Sequence, residues 1–334
     1  MTEFGTKTAI DLFQEETQGK GSRGLLLEGE PTRPFVRIGA RFVGRYHVTE
    51  ELGRGAMGVV YRAADLRGDG YVAIKVVPLG EDESTARFVR GTEIMLGLDH
   101  SALCRALASG RTSDCSYVIM EDLPGCSLAA VLSPGTRVPW HRAARWIGEL
   151  CEGLALLHAQ GFVHRDVKTG NLVLRGGGDR ASLVLIDFDL AKPYTPPLQD
   201  SGRIPRKTLL QLSLSAQKAL SGTPVYMTAE RLQGAPATPD ADLFATALVL
   251  YRLIAGSLPT TQIDHLSLNR LLEARQRAIP RLGVGVPPQL KRILERALAR
   301  RRGERYRSAL ELGRDLREVL AASSRPTEPM PVSA

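Results

Sequence analysis

Residues 163–171 read VHRDVKTGN, and this stretch decides how the chain is interpreted. Asp166 is followed by Lys168 two positions later and by Asn171 five positions later, before an apolar run at 172–174. One turn of chain can therefore supply a base, a cation and a metal ligand. This set of groups indicates phosphoryl transfer, because that reaction depends more on positioning and charge neutralisation than on covalent chemistry by the protein.

The pattern H-R-D-x-x-x-x-N in this stretch is the catalytic-loop signature of protein kinases, so the sequence resembles the Ser/Thr protein kinase family. Other motifs of that family follow its order: G-x-G-x-x-G at 53–58, V-A-I-K at 72–75 and D-F-D at 187–189. An apolar strand pattern follows the glycines, which favours a strand-turn-strand over the strand-turn-helix of a dinucleotide fingerprint. The style of the motifs is most similar to that of eukaryotic-type kinases of bacteria.

The resemblance extends over about residues 45–320 and implies an α+β, two-lobed protein-kinase fold. The N-lobe is expected to be a small antiparallel β-sheet with one main helix, and the C-lobe to be larger and mainly helical. We predict a flexible arm at 1–44 with a short docking helix at 10–13, an N-lobe at 45–122, a C-lobe at 123–320 and a disordered tail at 321–334. Hydrophobic periodicity predicts strands near 46–49, 59–61, 71–77, 117–121 and 182–186, and helices at 85–98, 140–160, 241–254, 267–277, 288–300 and 308–320.

The composition is that of an ordinary soluble globular protein, with 334 residues of which 43% are hydrophobic. There is no apolar run of the roughly 18 to 20 residues that a membrane helix needs and no secretory signal, so we expect a cytoplasmic protein without a membrane span. The four cysteines form no C-x-x-C pair and indicate neither a zinc site nor a disulfide framework. Much of the net charge of +8 lies at 291–307, which we interpret as solvated helix surface and not as a nucleic-acid site.

The family resemblance implies ATP as the cofactor, together with Mg²⁺ or Mn²⁺. Backbone N–H groups of the loop at 53–58 would cover the phosphates, and Lys75 would hold the α- and β-phosphates. Met120 would border the adenine pocket, and backbone groups of Glu121 and Leu123 would bond the adenine edge. The residues expected to bind the nucleotide are Leu52, Gly53, Gly55, Gly58, Val60, Ala73, Lys75, Met120, Glu121, Leu123 and Val173.

For the chemical step, the resemblance implies that Asp166 accepts or orients the substrate hydroxyl while Lys168 stabilises charge on the transferred group. Thr223, at the substrate-binding end of the activation segment, would bond both of these side chains. Asn171 and Asp187 would hold the metal ion. Lys168 and Thr223 indicate Ser or Thr, and not Tyr, as the acceptor, so the expected partners are proteins that carry such hydroxyls.

Regulation is expected to act through Arg165, which in the family ties activity to phosphorylation of the activation segment. We place that segment at 191–221. We predict autophosphorylation on a Ser or Thr between Thr195 and Thr223, with an upstream kinase or a regulatory protein as a further partner.

Two braces are also implied by the resemblance. Asp242 lies near the start of an apolar helix. Burying an acid there without partners would destabilise the fold by several kcal/mol. Backbone groups of the catalytic loop are expected to satisfy it and so to support that loop. Glu230 and Arg305 are expected to form an ion pair that braces the C-lobe.

The sequence departs from the family at the helix that normally supplies an acid to the strand lysine. A gapless match puts Gly91 at that position, and Glu93 lies about 200° further around a helix with 3.6 residues per turn. Two alternatives follow. Either Glu93 reaches Lys75 from a shifted helix, or the ion pair of Lys75 with this helix is absent.

Two further departures lie in the C-terminal motifs. Asp189 replaces the glycine of Asp-Phe-Gly, which is expected to restrict the movement of Phe188, and Ala229 replaces the proline of Ala-Pro-Glu. A pseudokinase that acts as a nucleotide-binding scaffold or allosteric partner is therefore the alternative to an active enzyme. Because the groups that act directly in the chemistry are all present, the sequence favours the active Ser/Thr kinase.

Overall fold

The computed structural model describes residues 36–55, 58–80, 82–194, 223–259, 268–276 and 282–323. The predicted docking helix at 10–13, residues 195–222 of the activation segment and tail residues 324–334 lie outside these ranges. The chain forms two compact units. Unit 1 contains the described residues up to Val131 together with Val173–Lys192, and unit 2 contains Leu132–Leu172 together with the described residues from Pro193 onward.

The strands are, in chain order, β1 Arg41–Phe42, β2 Tyr46–Gly55, β3 Gly58–Asp65, β4 Tyr71–Pro78, β5 Ala106–Arg111, β6 Cys115–Glu121, β7 Gly125–Ser127, β8 Phe162–Val163, β9 Leu172–Arg175, β10 Ser182–Leu185 and β11 Lys192–Pro193. The helices are α1 Glu83–Leu96, α2 Leu128–Val131, α3 Trp140–Ala159, α4 Ala229–Leu232, α5 Pro239–Ala255, α6 Leu268–Gln276, α7 Pro288–Ala297 and α8 Ala309–Ser323. The six predicted helices that fall in the described ranges are all present, with ends that differ by at most three residues.

Unit 1 is built on a six-stranded antiparallel sheet in the order β1-β2-β3-β4-β6-β5. Val60 lies opposite Lys75, and Ala73 lies opposite Met120. Because side chains alternate along a strand and paired residues share a side, these four residues lie on one face of the sheet. The opposite face carries the apolar core of the unit, which includes Val59, Tyr61, Val72, Ile74, Val76 and Ile119.

The predicted N-terminal arm extends too far into the fold. Residues 41–42 form β1, which pairs with β2, and both Val36 and Phe42 are buried in the core of unit 1. The sequence does not predict this strand, because β1 has only two residues and is too short to show hydrophobic periodicity. The folded part of unit 1 therefore begins before residue 45.

The glycine-rich stretch joins two strands, as the sequence predicts. Gly55 pairs with Gly58 across β2 and β3. A Cβ added at Gly58 would lie 2.1 Å from the carbonyl oxygen of Val76, so this position requires glycine for the close approach of β3 to β4.

Helix α1 packs its apolar side chains into unit 1. The side chain of Asp82 caps its first turn by accepting a hydrogen bond from the backbone N–H of Thr85 at 3.0 Å. Phe88, Ile94 and Met95 are buried, as their helical spacing predicts. The helix ends at Leu96, two residues before the predicted end.

Unit 2 is mainly helical, and α3 and α5 form its centre. Helix α3 buries Trp146, Leu150, Leu154 and Leu157, the stripe that the sequence shows. Gly161, just after this helix, has a φ of 80°, a backbone conformation in which glycine is favoured at a helix C-terminus. The chain then passes directly into residues 163–171. Helix α8 continues to Ser323, into the segment that was predicted to be a tail.

Candidate active site

The catalytic loop in unit 2 holds Asp166 by four side-chain and backbone donors. One carboxylate oxygen accepts hydrogen bonds from Lys168 Nζ at 2.7 Å and from Asn171 Nδ2 at 2.9 Å. The other accepts from the backbone N–H and the hydroxyl of Thr223, both at 3.1 Å. Lys168 Nζ also donates to Thr223 Oγ1 at 3.0 Å. These contacts bring together Asp166, Lys168 and Thr223, which are expected to act in the chemical step, and Asn171, one of the two expected metal ligands.

Asp242 supports this loop from α5. Its carboxylate accepts hydrogen bonds from the backbone N–H groups of His164 and Arg165, both at 2.8 Å. His158 Nε2, from the last turn of α3, lies 2.9 Å from the same carboxylate. Burial alone would raise the pKa of Asp242, but His158 and the loop amides outweigh that effect and hold the pKa below its usual range. The acid is therefore an anion that ties α3, α5 and the loop together.

Two non-glycine residues of the signature motifs have left-handed backbone conformations. Arg165 has a φ of 75° and Asp187 has a φ of 66°. Such conformations cost about 1–3 kcal/mol and concentrate at functional sites, where the surrounding structure enforces them. Asp189 does not have a positive φ, so the replacement of glycine at this position introduces no strain of this kind.

Lys75 in unit 1 is bonded to two acids. Its Nζ lies 2.8 Å from Asp187 Oδ1 and 2.6 Å from Asp189 Oδ2. Burial acts to lower the pKa of Lys75, but the two carboxylates outweigh it and hold the pKa above its usual value. Burial raises the pKa of Asp189, and neighbouring Asp187 adds to this increase against the effect of Lys75. One cation thus balances two acids.

Gly91 faces the segment that carries these acids, and Glu93 does not. A Cβ added at Gly91 would lie 2.6 Å from the carbonyl oxygen of Phe188. Glu93 is exposed, and among the described residues it makes no ion pair with Lys75. The alternative in which Glu93 reaches Lys75 is therefore not what the structure shows, since the helix turns that residue towards solvent.

The residues expected to bind nucleotide all belong to unit 1. Val60, Ala73 and Met120 share a face of the sheet with Lys75. The backbone N–H of Glu121 donates to the carbonyl of Arg105 at 3.0 Å, so this N–H already has a partner within unit 1. The remaining members are distributed around these: Leu52 is exposed on β2, Val173 is buried on β9, and Leu123 follows β6.

The segment after Thr223 is fixed by a half-buried arginine that the sequence analysis did not assign. Arg275 in α6 donates to the carbonyl oxygens of Val225 at 2.5 Å and Met227 at 2.8 Å. Burial, with a contribution from Arg305, lowers the pKa of Arg275 to about 10. This contact fixes the short turn that follows Thr223.

The brace at the end of this segment is also present. Arg305 forms an ion pair with Glu230 and donates to the carbonyl oxygens of Ala299 and Arg300. Ala229, which replaces the family's proline, is the first residue of α4, and Thr228 caps that helix by accepting from the N–H of Arg231 at 3.3 Å. Proline is favoured at such a position and alanine is well tolerated in helices, so this replacement is a small change.

The donor groups fit ATP and a divalent cation. Asn171 donates to Asp166 through its amide nitrogen in both of its hydrogen bonds, which leaves the amide oxygen as the atom that would bind a cation. Carboxylate and amide oxygens are ligands that Mg²⁺ accepts. Lys75 supplies a protonated amine on the face of the sheet where the predicted nucleotide residues lie.

Three contacts escaped the sequence analysis. They are Asp189 with Lys75, His158 with Asp242, and Arg275 with the turn after Thr223. The first had a sequence signal, because a carboxylate is lost at position 91 and another is gained at position 189. The other two join residues whose distance along the chain gives no motif, 84 positions in the case of His158 and Asp242.

Comparison with known proteins agrees with this geometry. The family model described as protein kinase domain matches residues 46–311, and the chain belongs to the protein kinase family. This membership confirms the resemblance and the fold class that the sequence predicts. Members of this family use ATP and a divalent metal ion.

Among curated relatives, the chain is similar to several bacterial Ser/Thr kinases. It is 28% identical over 284 residues to the serine/threonine-protein kinase PknL of Mycobacterium tuberculosis, covering 82% of this chain and 65% of that protein. It is 31% identical over 290 residues to PkaB of Streptomyces coelicolor, covering 84% of this chain and 64% of the relative. The chain thus spans less than two thirds of the length of these relatives. None of the helices in the described ranges has the length and apolar character needed to cross a membrane.

Proposed function

We propose that this chain is an ATP-dependent Ser/Thr protein kinase that transfers the γ-phosphoryl group of ATP to protein hydroxyls. The observation that carries the proposal is the arrangement around Asp166, whose two carboxylate oxygens are held by Lys168, Asn171 and Thr223. A carboxylate fixed in this way can orient a substrate hydroxyl and receive its proton, provided that the hydroxyl comes within hydrogen-bond distance.

The chain's own residues have distinct parts in this mechanism. When ATP is bound, backbone N–H groups of the loop at 53–58 would hold its phosphates and Lys75 would orient them. Asp187 and Asn171 are the proposed ligands of Mg²⁺ or Mn²⁺, which would neutralise phosphate charge when bound. Lys168 balances charge that develops on the transferred group, and Asp242 fixes the loop so that little reorganisation is needed.

The acceptor and the regulation follow from the same residues. The bond from Lys168 Nζ to Thr223 Oγ1 supports Ser or Thr as the acceptor, in protein substrates or in a second copy of this chain. We propose autophosphorylation on a Ser or Thr between Thr195 and Thr223, where a new phosphate would attract Arg165. Residues 195–222 lie outside the described ranges, so phosphopeptide mapping of active protein is the test, and an absence of phosphate from this window would contradict the proposal.

A second candidate function is a nucleotide-binding scaffold without catalysis. The observation that favours it is the altered environment of Lys75, where the family's helix acid is absent and Asp189 is added. The groups of the catalytic loop oppose it, because a scaffold has no need to hold Asp166 by four hydrogen bonds.

The experiment that separates the two functions measures transfer of labelled phosphate from ATP with Mg²⁺ and, separately, Mn²⁺. Nucleotide binding is measured alongside by thermal shift. We expect label in the wild-type protein and a loss of at least about 100-fold in Asp166→Ala, which lacks the base, and in Lys75→Met. Stabilisation by ATP without label under both metals, also after treatment with an active Ser/Thr kinase, would establish the scaffold function instead.

A further inference from the structure

The departures at positions 91 and 189 meet at one place in unit 1. Position 91, where the family has an acid on the helix, is glycine. Position 189, where the family has glycine, is an acid. The acid at 189 bonds the amine of Lys75 at 2.6 Å, which is the closer of the two carboxylate contacts of that lysine.

The two departures depend on each other sterically. A Cβ at Gly91 would lie 2.6 Å from the carbonyl oxygen of Phe188, 2.8 Å from its carbonyl carbon and 3.2 Å from Asp189 Cα. These are backbone atoms, which cannot move aside as the end of a flexible side chain can. Without a side chain at position 91, the segment 187–189 lies directly against α1. From that position Asp189 reaches Lys75.

We infer that Asp189 replaces the missing helix acid as the positioning residue of Lys75. Gly91 contributes to this ion pair, because the absence of a side chain there leaves room for the backbone that carries Asp189. For the role of Lys75 towards ATP phosphates, this inference rests on the proposed function; the ion pair itself does not.

Burial shows why Asp189 and Asp187 are not equivalent. The side chain of Asp189 is 10% exposed, whereas that of Asp187 is 39% exposed. A buried carboxylate needs a charged partner, and Lys75 is the one that Asp189 has. Asp187 can therefore turn to a cation while Lys75 keeps Asp189 as its partner. With Asp187 alone, lysine and metal ion would compete for one carboxylate.

Glu93, the acid of α1 that is nearest in sequence to Gly91, is a natural control. Glu93 is exposed and lies about 200° around the helix from Gly91. If the helix acid had only moved two positions, Glu93 and not Asp189 would be coupled to Lys75. Glu93→Gln removes the same charge as Asp189→Asn from a residue nearby in the same unit.

The first experiment is a double-variant cycle on the protein without nucleotide, using unfolding in urea. Lys75→Met, Asp189→Asn and the double variant are compared with wild type. Each single variant should increase the unfolding equilibrium constant. We expect the increase in the double variant to be at least about tenfold smaller than the product of the two single increases. The parallel cycle of Lys75→Met with Glu93→Gln should show no coupling. Coupling with Glu93, or additive effects with Asp189, would overturn the inference.

The second experiment distinguishes positioning from a merely structural role. Affinities for Mg-ATP and for adenosine are measured by calorimetry. Asp189→Asn should weaken ATP binding by about tenfold, equivalent to about 1.4 kcal/mol, and leave adenosine binding unchanged because adenosine has no phosphates for Lys75 to contact. Equal weakening of both ligands, or of neither, contradicts a positioning role. A wild-type protein that binds neither ligand overturns the proposed function, whereas coupling in the first experiment still establishes the ion pair.

Misfolding of Asp189→Asn would also weaken ATP binding, so a second variant that leaves every charge in place is needed. Gly91→Ala adds only a Cβ, which must push away the segment 187–189. We expect it to weaken ATP binding in the same direction as Asp189→Asn. Gly148→Ala in α3 is the matched control, because a Cβ there meets nothing within 4 Å. Unchanged ATP affinity in Gly91→Ala would show that Gly91 is not needed to place Asp189 beside Lys75.

Discussion

Asp242 in unit 2 and Lys75 in unit 1 are held in place by different kinds of partner. In unit 2, Asp242 is held by the backbone N–H groups of His164 and Arg165, which any residue except proline could supply, and by the side chain of His158. In unit 1, the partners of the Lys75 amine among the described residues are side chains, those of Asp187 and Asp189. The backbone-held group matches the family pattern, and the side-chain group departs from it. Side-chain partners can move to another position in the sequence while the contact is kept, and we infer that this has happened around Lys75.

The largest expected effect is in unit 2. Asp242→Ala leaves two loop N–H groups and His158 without their acceptor, so we expect the free energy of unfolding to fall by about 3–5 kcal/mol. Urea unfolding measures this loss, and hydrogen exchange should show faster exchange of the His164 and Arg165 amides. Asp69→Asn, in the exposed turn after β3, is the control and should be neutral. A loss below about 1 kcal/mol, the contribution of one ordinary hydrogen bond, would contradict the claim that Asp242 holds the loop in place.

The pH dependence of the same group is the next effect. Because the pKa of Asp242 is lowered in the folded protein, its ionised form contributes stability above the unfolded pKa of about 4, and this contribution is lost as the pH falls through the folded pKa. The difference in unfolding free energy between wild type and Asp242→Asn should therefore be constant from pH 8 to pH 6 and shrink below about pH 4. A difference that grows on acidification has the wrong sign for this account.

In unit 1 we expect a smaller loss of stability from the smallest change at the helix. Gly91→Ala adds one methyl group against the carbonyl of Phe188, and such overpacking typically costs about 1–3 kcal/mol. Alanine usually stabilises a helix relative to glycine, so a loss must come from the contact. Gly148→Ala, measured in the same urea titration, should be neutral or stabilising. Equal behaviour of the two variants would mean that α1 can move away from the segment 187–189 without cost.

The smallest effect concerns the thiols. Burial raises the pKa of Cys104 and of Cys151 to about 12 in each case, so neither forms a reactive thiolate near neutral pH. Cys126 is exposed on β7. Alkylation followed by peptide mass spectrometry should therefore modify Cys126 first in the folded protein, and all four thiols after unfolding. Early modification of Cys151 would indicate that unit 2 opens near α3.

The catalytic loop could be predicted from sequence because its parts lie within nine consecutive residues. Asp166, Lys168 and Asn171 lie on one loop, and their spacing, together with the order of the other motifs, indicates the family. The acid that pairs with Lys75 could not be assigned in the same way, because it lies 114 positions away in the chain. The departures at 91 and 189 were visible one by one, but only the structure shows that the space left at Gly91 is filled by the backbone next to Asp189.

The buried start of unit 1 shows the same limit. Val36 and Phe42 contribute single apolar side chains to the core from a stretch without periodicity. Periodicity requires several residues of one regular element, and a two-residue strand has too few. Short elements of this kind are recognised only when their partner, here β2, is in place.

The measurement that tests the central claim most directly is phosphoryl transfer by Asp189→Gly, which restores the residue that the family has at this position. If Asp189 positions Lys75, this variant should lower kcat/KM for ATP by at least about tenfold relative to active wild-type protein, while Glu93→Gln remains at the wild-type value. Activity of Asp189→Gly equal to or above that of the wild type would contradict the account, because Lys75 would then need no second acid.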